Sequence, residues 1–266
     1  MTVHRLSRRD ARRIAVRAQL LDKTRPTEMM ETIRHLTMLQ ADGTSAVAPS
    51  ADLVLWSRIG SNYSPSELRT ALANHAVVDL RGMLRPGEDV ALYRADMARW
   101  PGTGELRDYK KSQRDWVKAN DGCRRDILRR LRASGPLTAR ELPDTCVKPW
   151  ASSGWNNNKN VTMLLDVMVQ RGEVAGAARE GRERHWDLAE RIDPDDPVVP
   201  AEQAEQIRSE KRLRALGIAR ARGPECNVEP GDVGDIGELA VIDGVAGEWR
   251  VDPAQLDLSF AGRAAL

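Results

Sequence analysis

The chain has 266 residues, of which 41% are hydrophobic, enough to bury a sizeable core in one large domain or two to three small ones. Its net charge is only +2, but the segment from residue 225 onward carries nine acidic residues against two arginines, a net −7, which leaves +9 on the rest. A basic body suits a polyanionic partner, although a solvated surface explains the same charge.

Cysteine and histidine usage argues against metal chemistry. The three cysteines and four histidines are scattered without a C-x-x-C or similar spacing, so no metal cluster or disulfide framework is visible. The basic N-terminus lacks the apolar core of a signal peptide, and no run approaches the ~20 apolar residues of a membrane span. We therefore expect a soluble cytoplasmic protein with no metal, no other cofactor and no membrane partner.

The first third of the chain shows apolar residues mostly at helical spacing. Ser7 and Asp10 form the two ends of a capping box, which marks the start of the first helix. The pattern predicts helices over residues 7–21, 26–39 and 51–59, a fourth beginning at Ser64, and a short strand pair over 77–84.

The first predicted helix is rich in arginine on the faces opposite its apolar stripe. Arg12 and Arg13 are the candidates there for contact with nucleic-acid phosphate. A solvated helix face explains them equally well.

The middle of the chain contains the clearest module. Helices are predicted over 124–133 and 159–171, with a short helix between them that begins at the capping box Thr138–Glu141. A hairpin over 173–188 follows. Three helices and a hairpin in this order are typical of a winged helix.

Winged helices commonly place one helix in the major groove and the hairpin beside the DNA backbone. The helix presented here begins "WNNNKN", whose amides and lysine suit bases and phosphates, and the hairpin carries three arginines. A capped loop and a solvated hairpin form the alternative, because many winged helices bind protein instead. The candidate DNA contacts in this module are Asn157, Asn158, Lys159, Arg179, Arg182 and Arg184.

The last third repeats the theme more loosely, with a long helix from Pro200 to about Leu216 and a hairpin over 238–253 that turns at Asp243-Gly244. We therefore predict a mainly α chain with small β-hairpin wings, in a tandem winged-helix (helix-turn-helix) architecture. The predicted units are residues 1–118, 119–196 and 197–266, the third one partial.

Gln40 and Asp42 flank one alanine where the second helical pattern stops. On an extended segment, side chains two residues apart share a face, and a carboxylate beside a carboxamide can stabilise a developing cation and orient a water molecule. The simpler interpretation is a helix-capping glutamine and an Asx-type turn at Asp42-Gly43.

The stretch from about Arg12 to Arg58 resembles the bacterial winged-helix DNA glycosylases of the AlkZ/YcaQ type. Their motif of glutamine, an apolar residue, and aspartate or glutamine is matched by residues 40–42, and a later Leu-Trp-Ser-Arg-like helix by 55–58. "SGPLTARELPD", the Trp186 hairpin and "GEWRVDPAQLDLSFAGRAAL" are also similar to family segments. The family continues past "FAGRAAL" into a C-terminal β-barrel, which we expect this chain to lack.

The resemblance implies a monofunctional DNA glycosylase that acts on alkylated or crosslinked purines. Asp42 would stabilise the cationic sugar and help deprotonate water, and Gln40 would position that water. Double-stranded DNA is the expected partner of a monomer associated with the nucleoid. The alternatives are a non-catalytic winged-helix regulator and a truncated, inactive family member. On sequence alone, Trp56 and Leu53 are interpreted as core residues, and not as residues on which a DNA base stacks.

Overall fold

The computed structural model describes residues 2–42, 47–151, 157, 159–180, 183–224, 226, 229–256 and 260–263. Its contacts divide the chain into two compact units. Unit 1 comprises residues 1–69, 84–86 and 202–266, and unit 2 comprises 70–83 and 87–201. The division into winged-helix modules at 1–118, 119–196 and 197–266 is a division by motif and not by contacts, and it stays a prediction.

The fold is mixed α/β, with more strand than the sequence indicated. The helices are α1 (Arg8–Ala18), α2 (Met29–Leu36), α3 (Ser50–Ile59), α4 (Pro65–Ala73), α5 (Arg94–Ala98), α6 (Asp108–Ala119), α7 (Asp121–Ser134), α8 (Asn160–Gln170), α9 (Ala189–Ile192) and α10 (Ala201–Leu216). The strands are β1 (Val3–Leu6), β2 (Leu39–Gln40), β3 (Val77–Leu80), β4 (Met83–Pro86), β5 (Leu137–Thr138), β6 (Val174–Glu180), β7 (Glu183–Leu188), β8 (Ile218–Arg220), β9 (Glu238–Ile242) and β10 (Val245–Val251). No described helix is long and apolar enough to cross a membrane.

Unit 1 is built on a four-stranded sheet in the order β1-β9-β10-β8. The predicted hairpin that turns at Asp243-Gly244 is confirmed as β9 and β10. Strand β1 was not predicted; it pairs in parallel with β9, so that Leu6 lies beside Ile242. The predicted cap of α1 is also confirmed, because the Ser7 side chain accepts from the Asp10 amide at 3.1 Å. Helix α1 then buries Ile14 against this sheet.

Gly237, directly before β9, is a backbone position that tolerates no side chain. Its φ is +79°, and a Cβ atom there would lie 2.2 Å from Leu213 Cδ2 and 2.7 Å from the Val251 carbonyl oxygen. We expect Gly237→Ala to lower the free energy of unfolding by about 1–3 kcal/mol, through strain and overpacking together. Gly231→Ala is the matched control, since nothing lies within 4 Å of its Cβ position. Equal urea midpoints for the two variants would contradict the prediction.

Unit 2 has its core where α7 and α8 pack with the hairpin. Ile127, Leu131, Leu164 and Leu165 are completely buried there. Strands β6 and β7 confirm the predicted hairpin, and β5 adds to the β7 edge. The predicted short helix at 138–141 is wrong.

Residues 138–141 form a turn instead of that helix. The capping-box contacts exist, because Glu141 Oε2 accepts from the Thr138 amide and hydroxyl at 2.8 Å each. They close this single turn after β5, and no helical turn continues it.

Candidate active site and nucleic-acid interface

Gln40 and Asp42 lie on a short non-helical segment of unit 1. Helix α2 ends at Leu36, earlier than predicted, and Thr37 turns the chain with a φ of +68°. Strand β2 then carries Leu39, which is 3% exposed, followed by the exposed Gln40. Asp42 is exposed as well, with the half-buried Ala41 between them. This alternation of burial over residues 39–42 is the pattern expected of extended backbone, in which side chains two residues apart share a face.

A buried ionic cluster lies behind β2. Strand β4 pairs with β2, and its Arg85 is 4% exposed. Arg85 Nη2 lies 2.8 Å from Glu229 Oε2 and 3.5 Å from the sulfur of Met38, directly before β2. The other Glu229 oxygen accepts from Arg212, whose Nη1 donates to the Asp232 carbonyl at 2.9 Å. The cluster thus joins the strand that carries Gln40 to the C-terminal third of unit 1.

Helix α3 packs against β2 and carries the Leu-Trp-Ser-Arg sequence. Leu55 is fully buried, as expected of a core residue. Trp56 is 50% exposed and Leu53 45% exposed, so their interpretation as core residues is wrong. Their spacing of three residues puts both on one exposed side of the helix. Arg58 instead donates from Nε to the Gln19 carbonyl at 3.2 Å and so ties α3 to the end of α1.

The two candidate DNA contacts on α1 differ in their surroundings. Arg12 is exposed. Arg13 is half-buried, with Nη1 3.7 Å from Asp10 Oδ1 and its guanidinium 5.7 Å from the centre of the Phe260 ring. Of the two, Arg12 is the one presented to solvent.

The unit 2 candidates are only partly described. Asn157 and Lys159 are exposed before α8. Asn158 and Arg182 lie outside the described residues, as does the side chain of Arg179. The neighbouring Asn160 has a structural role, since its Oδ1 accepts from the Trp150 amide at 2.8 Å and its Nδ2 donates to Asp144 Oδ2 at 3.1 Å.

Arg184 is turned away from solvent within unit 2. Its side chain is 19% exposed and forms an ion pair with the buried Asp79, and its guanidinium lies 4.5 Å from the centre of the Trp186 ring. Burial lowers the pKa of Arg184 to about 10, so the group keeps its charge at neutral pH. A guanidinium already held by a carboxylate and a ring is poorly placed to bind phosphate, and we do not retain Arg184 as a DNA contact.

Two cysteines that are far apart in sequence meet in unit 2. The ligand atoms of Cys123, Asp144 and Cys146 lie within 4.8 Å of one another. Cys123 is buried in the core, and its thiol donates to the Pro143 carbonyl at 3.6 Å. Burial raises the pKa of the Cys146 thiol, and its neighbours Cys123 and Asp144 raise it further. The Cys146 thiol is therefore protonated at neutral pH, and the buried Cys123 packs as a small apolar group.

Comparisons with known proteins identify the fold and the family. A solved structure of Streptomyces sahachiroi DNA glycosylase AlkZ matches with a TM-score of 0.64 and 16% identity, over 97% of this chain and 73% of that one. At this identity the match shows the fold. The family model described as "DNA glycosylase AlkZ-like" matches residues 33–224, more than half of the chain and a range that contains Gln40 and Asp42. The chain belongs to the AlkZ-like DNA glycosylases, hydrolases of N-glycosyl bonds.

Proposed function

We propose that this protein is a monofunctional DNA glycosylase that hydrolyses the N-glycosidic bond of alkylated or crosslinked purines in double-stranded DNA. The observation that carries the proposal is the exposure of both Gln40 and Asp42 on the extended segment that follows the buried Leu39. This segment lies inside the region matched by the family model. Two solvated polar side chains without a catalytic role form the competing interpretation of the same pair.

The proposed substrate needs little help to leave. A purine alkylated on an imidazole-ring nitrogen is cationic, so it departs as a neutral base when the C1′–N bond breaks. Positive charge then develops on the sugar, where the Asp42 carboxylate stabilises it. Gln40 orients the water whose oxygen bonds to C1′, and Asp42 accepts the proton of that water. The products are the free base and an abasic site, with the phosphodiester backbone intact.

We further propose that DNA lies along tandem winged-helix modules within residues 1–118, 119–196 and 197–266. Arg12 and Arg13 would contact phosphate beside the site. Asn157, Asn158, Lys159, Arg179 and Arg182 would contact the duplex from the second module. Contacts of this kind supply affinity and register. An open site would also admit bulky or crosslinked adducts, which resist full extrusion into a closed pocket.

The direct test is base release from duplex DNA that contains 7-methylguanine. We expect the wild-type protein to release free 7-methylguanine and to leave an equal amount of abasic sites, both quantified by mass spectrometry. A Gln40→Ala/Asp42→Ala double variant serves as the matched control, because both positions are exposed and the fold should survive. Wild-type release no faster than that of the double variant would overturn the proposal.

The same experiment separates the alternative functions. A regulator or an inactive family member would bind the duplex with undiminished affinity and release no base. Binding is therefore measured on the same DNA at two salt concentrations, since phosphate contacts make affinity fall as salt rises.

A further inference from the structure

Helix α3 presents an apolar face to solvent. Leu53 and Trp56 lie one turn apart on it, and Val47, in the segment before the helix, is 88% exposed. A surface helix ordinarily carries polar residues there, because apolar residues gain nothing by facing water. Within the described part of the chain, the Trp56 indole has neither an aromatic nor a cationic partner.

A group of three arginines, the α3 arginine cluster, lies at the C-terminal end of the same helix and consists of Arg25, Arg58 and Arg263. Arg263 Nη1 donates to the Ser57 carbonyl at 2.5 Å, and Arg25 Nη1 lies 3.4 Å from the same oxygen. The cluster therefore lies within one residue of Trp56 along the helix.

The cluster holds more positive charge than the helix end requires. One or two cations suffice to balance the partial negative charge of a helix C-terminus. Burial and the charge of Arg263 lower the pKa of Arg58, and burial and the charge of Arg25 lower the pKa of Arg263. Asp22 is the acid that opposes this effect at Arg263. Within the described residues, Arg263 is held by the Asp22, Ser57, Leu20 and Arg58 carbonyl oxygens, and Arg58 by that of Gln19. These neutral oxygens do not cancel the charge of the guanidiniums, and an anionic ligand would reduce their mutual repulsion.

We propose that the α3 face and its arginine cluster together bind an unpaired nucleotide, with the base stacked on Trp56 and the phosphate held by the arginines. An aromatic face beside cations matches a nucleotide, which joins an apolar base to an anionic phosphate. A purely apolar partner would leave the cluster unmatched. The inference deepens the proposed function: α3 packs on the strand that carries Gln40, so the bound nucleotide would be one displaced beside the damaged base.

The test compares Trp56→Ala with wild type on a duplex that carries one unpaired nucleotide and on its fully paired counterpart. Loss of base stacking is expected to weaken binding to the first by about 5- to 150-fold, the equivalent of roughly 1–3 kcal/mol. Binding to the paired duplex should change by less than twofold. Trp56→Phe retains a ring and should recover most of the affinity. Tyr109→Ala, which also removes a half-exposed aromatic ring but in unit 2, should change neither.

The arginine cluster is tested separately by Arg25→Gln, because Arg25 is exposed. We expect a salt dependence reduced by about one phosphate contact on the duplex with the unpaired nucleotide. Circular dichroism and urea unfolding verify that every variant is folded.

The outcomes separate this inference from the proposed function. Wild-type base release with equal affinities for wild type and Trp56→Ala would overturn the nucleotide site and leave the glycosylase proposal intact. If the wild-type protein releases no base but Trp56→Ala selectively loses affinity for the duplex with the unpaired nucleotide, the nucleotide site stands and the glycosylase proposal is overturned. A change in oligomeric state without a change in DNA affinity would overturn the inference too, because it would assign the face to a second protein copy.

Discussion

Replacing Asp42 with asparagine is expected to lower the single-turnover rate of base release from 7-methylguanine DNA by about 10²- to 10³-fold. The reason is electrostatic: the neutral amide cannot offset the positive charge that develops on the sugar, nor accept the proton of the attacking water. DNA affinity should stay within twofold of wild type, because the change affects the transition state rather than the bound duplex.

Asp108→Asn is the matched control for this prediction. Asp108 is a fully exposed carboxylate in unit 2, with Lys111 Nζ 3.3 Å away, and its loss should not alter the rate. Asp42→Gln carries the other residue that the family motif allows, and we expect it to recover part of the rate. A rate for Asp42→Asn within threefold of wild type would remove Asp42 from the mechanism.

Glu229→Gln is expected to lower the free energy of unfolding of the protein by about 3–5 kcal/mol, since it breaks a buried ion cluster. The Glu229 and Arg212 side chains are each 10% exposed, and the substitution leaves the Arg212 guanidinium beside a neutral amide. The Arg212 Nε already lacks a hydrogen-bond partner in this cluster. Removing a partner from a buried charge costs far more than the net value of the pair, because the remaining ion stays desolvated.

The measurement is the urea midpoint and slope for wild type and variant. Glu31→Gln removes the exposed acid of the Arg34 pair and should change the free energy by less than about 0.5 kcal/mol. Because Arg85 links Glu229 to Met38 before β2, base release by folded Glu229→Gln should also be slower. Equal stability of the Glu229→Gln and Glu31→Gln variants would show that the cluster is dispensable.

Local sequence patterns predicted much of this fold correctly. Helix α1 begins at its Ser7 cap, and the hairpin of β9 and β10 turns at Asp243-Gly244, as the sequence indicates. The turn predicted at Glu180-Gly181 extends into residues outside the described part of the chain. These features depend on residues a few positions apart, whose preferences do not need the rest of the chain. The Thr138–Glu141 box shows the limit, because the same hydrogen bonds close a single turn as readily as they start a helix.

Features that depend on distant residues escaped prediction. Strand β1 has only four residues and needs β9 from the far end of the chain to exist as a strand. The burial of Arg184 depends on Asp79, and the meeting of Cys123 with Cys146 depends on how the intervening loop returns to α7. The exposure of Trp56 was not predicted, because a large aromatic residue is ordinarily buried or paired with another group.

The resemblance to the AlkZ/YcaQ-type glycosylases singled out Gln40 and Asp42, and the local sequence pattern by itself did not. On physical grounds alone, two polar residues after a helix are ordinary. What the structure adds is their backbone: strand β2 replaces the last helical turn that the apolar pattern suggested, and both side chains are exposed.

The composition of unit 1 has a consequence for how the protein is made. Its sheet pairs β1 with β9, and its ion cluster joins residues 85, 212 and 229, whereas unit 2 is nearly contiguous. During synthesis the ribosome releases the segment for unit 2 before the last strands of unit 1 exist. We expect unit 2 to fold first on the nascent chain. Unit 1, which contains the strand that carries Gln40, can fold only after the final residues have been synthesised. A ribosome stalled near residue 240, with all of unit 2 outside the exit tunnel, would then display a protease-resistant unit 2 and no glycosylase.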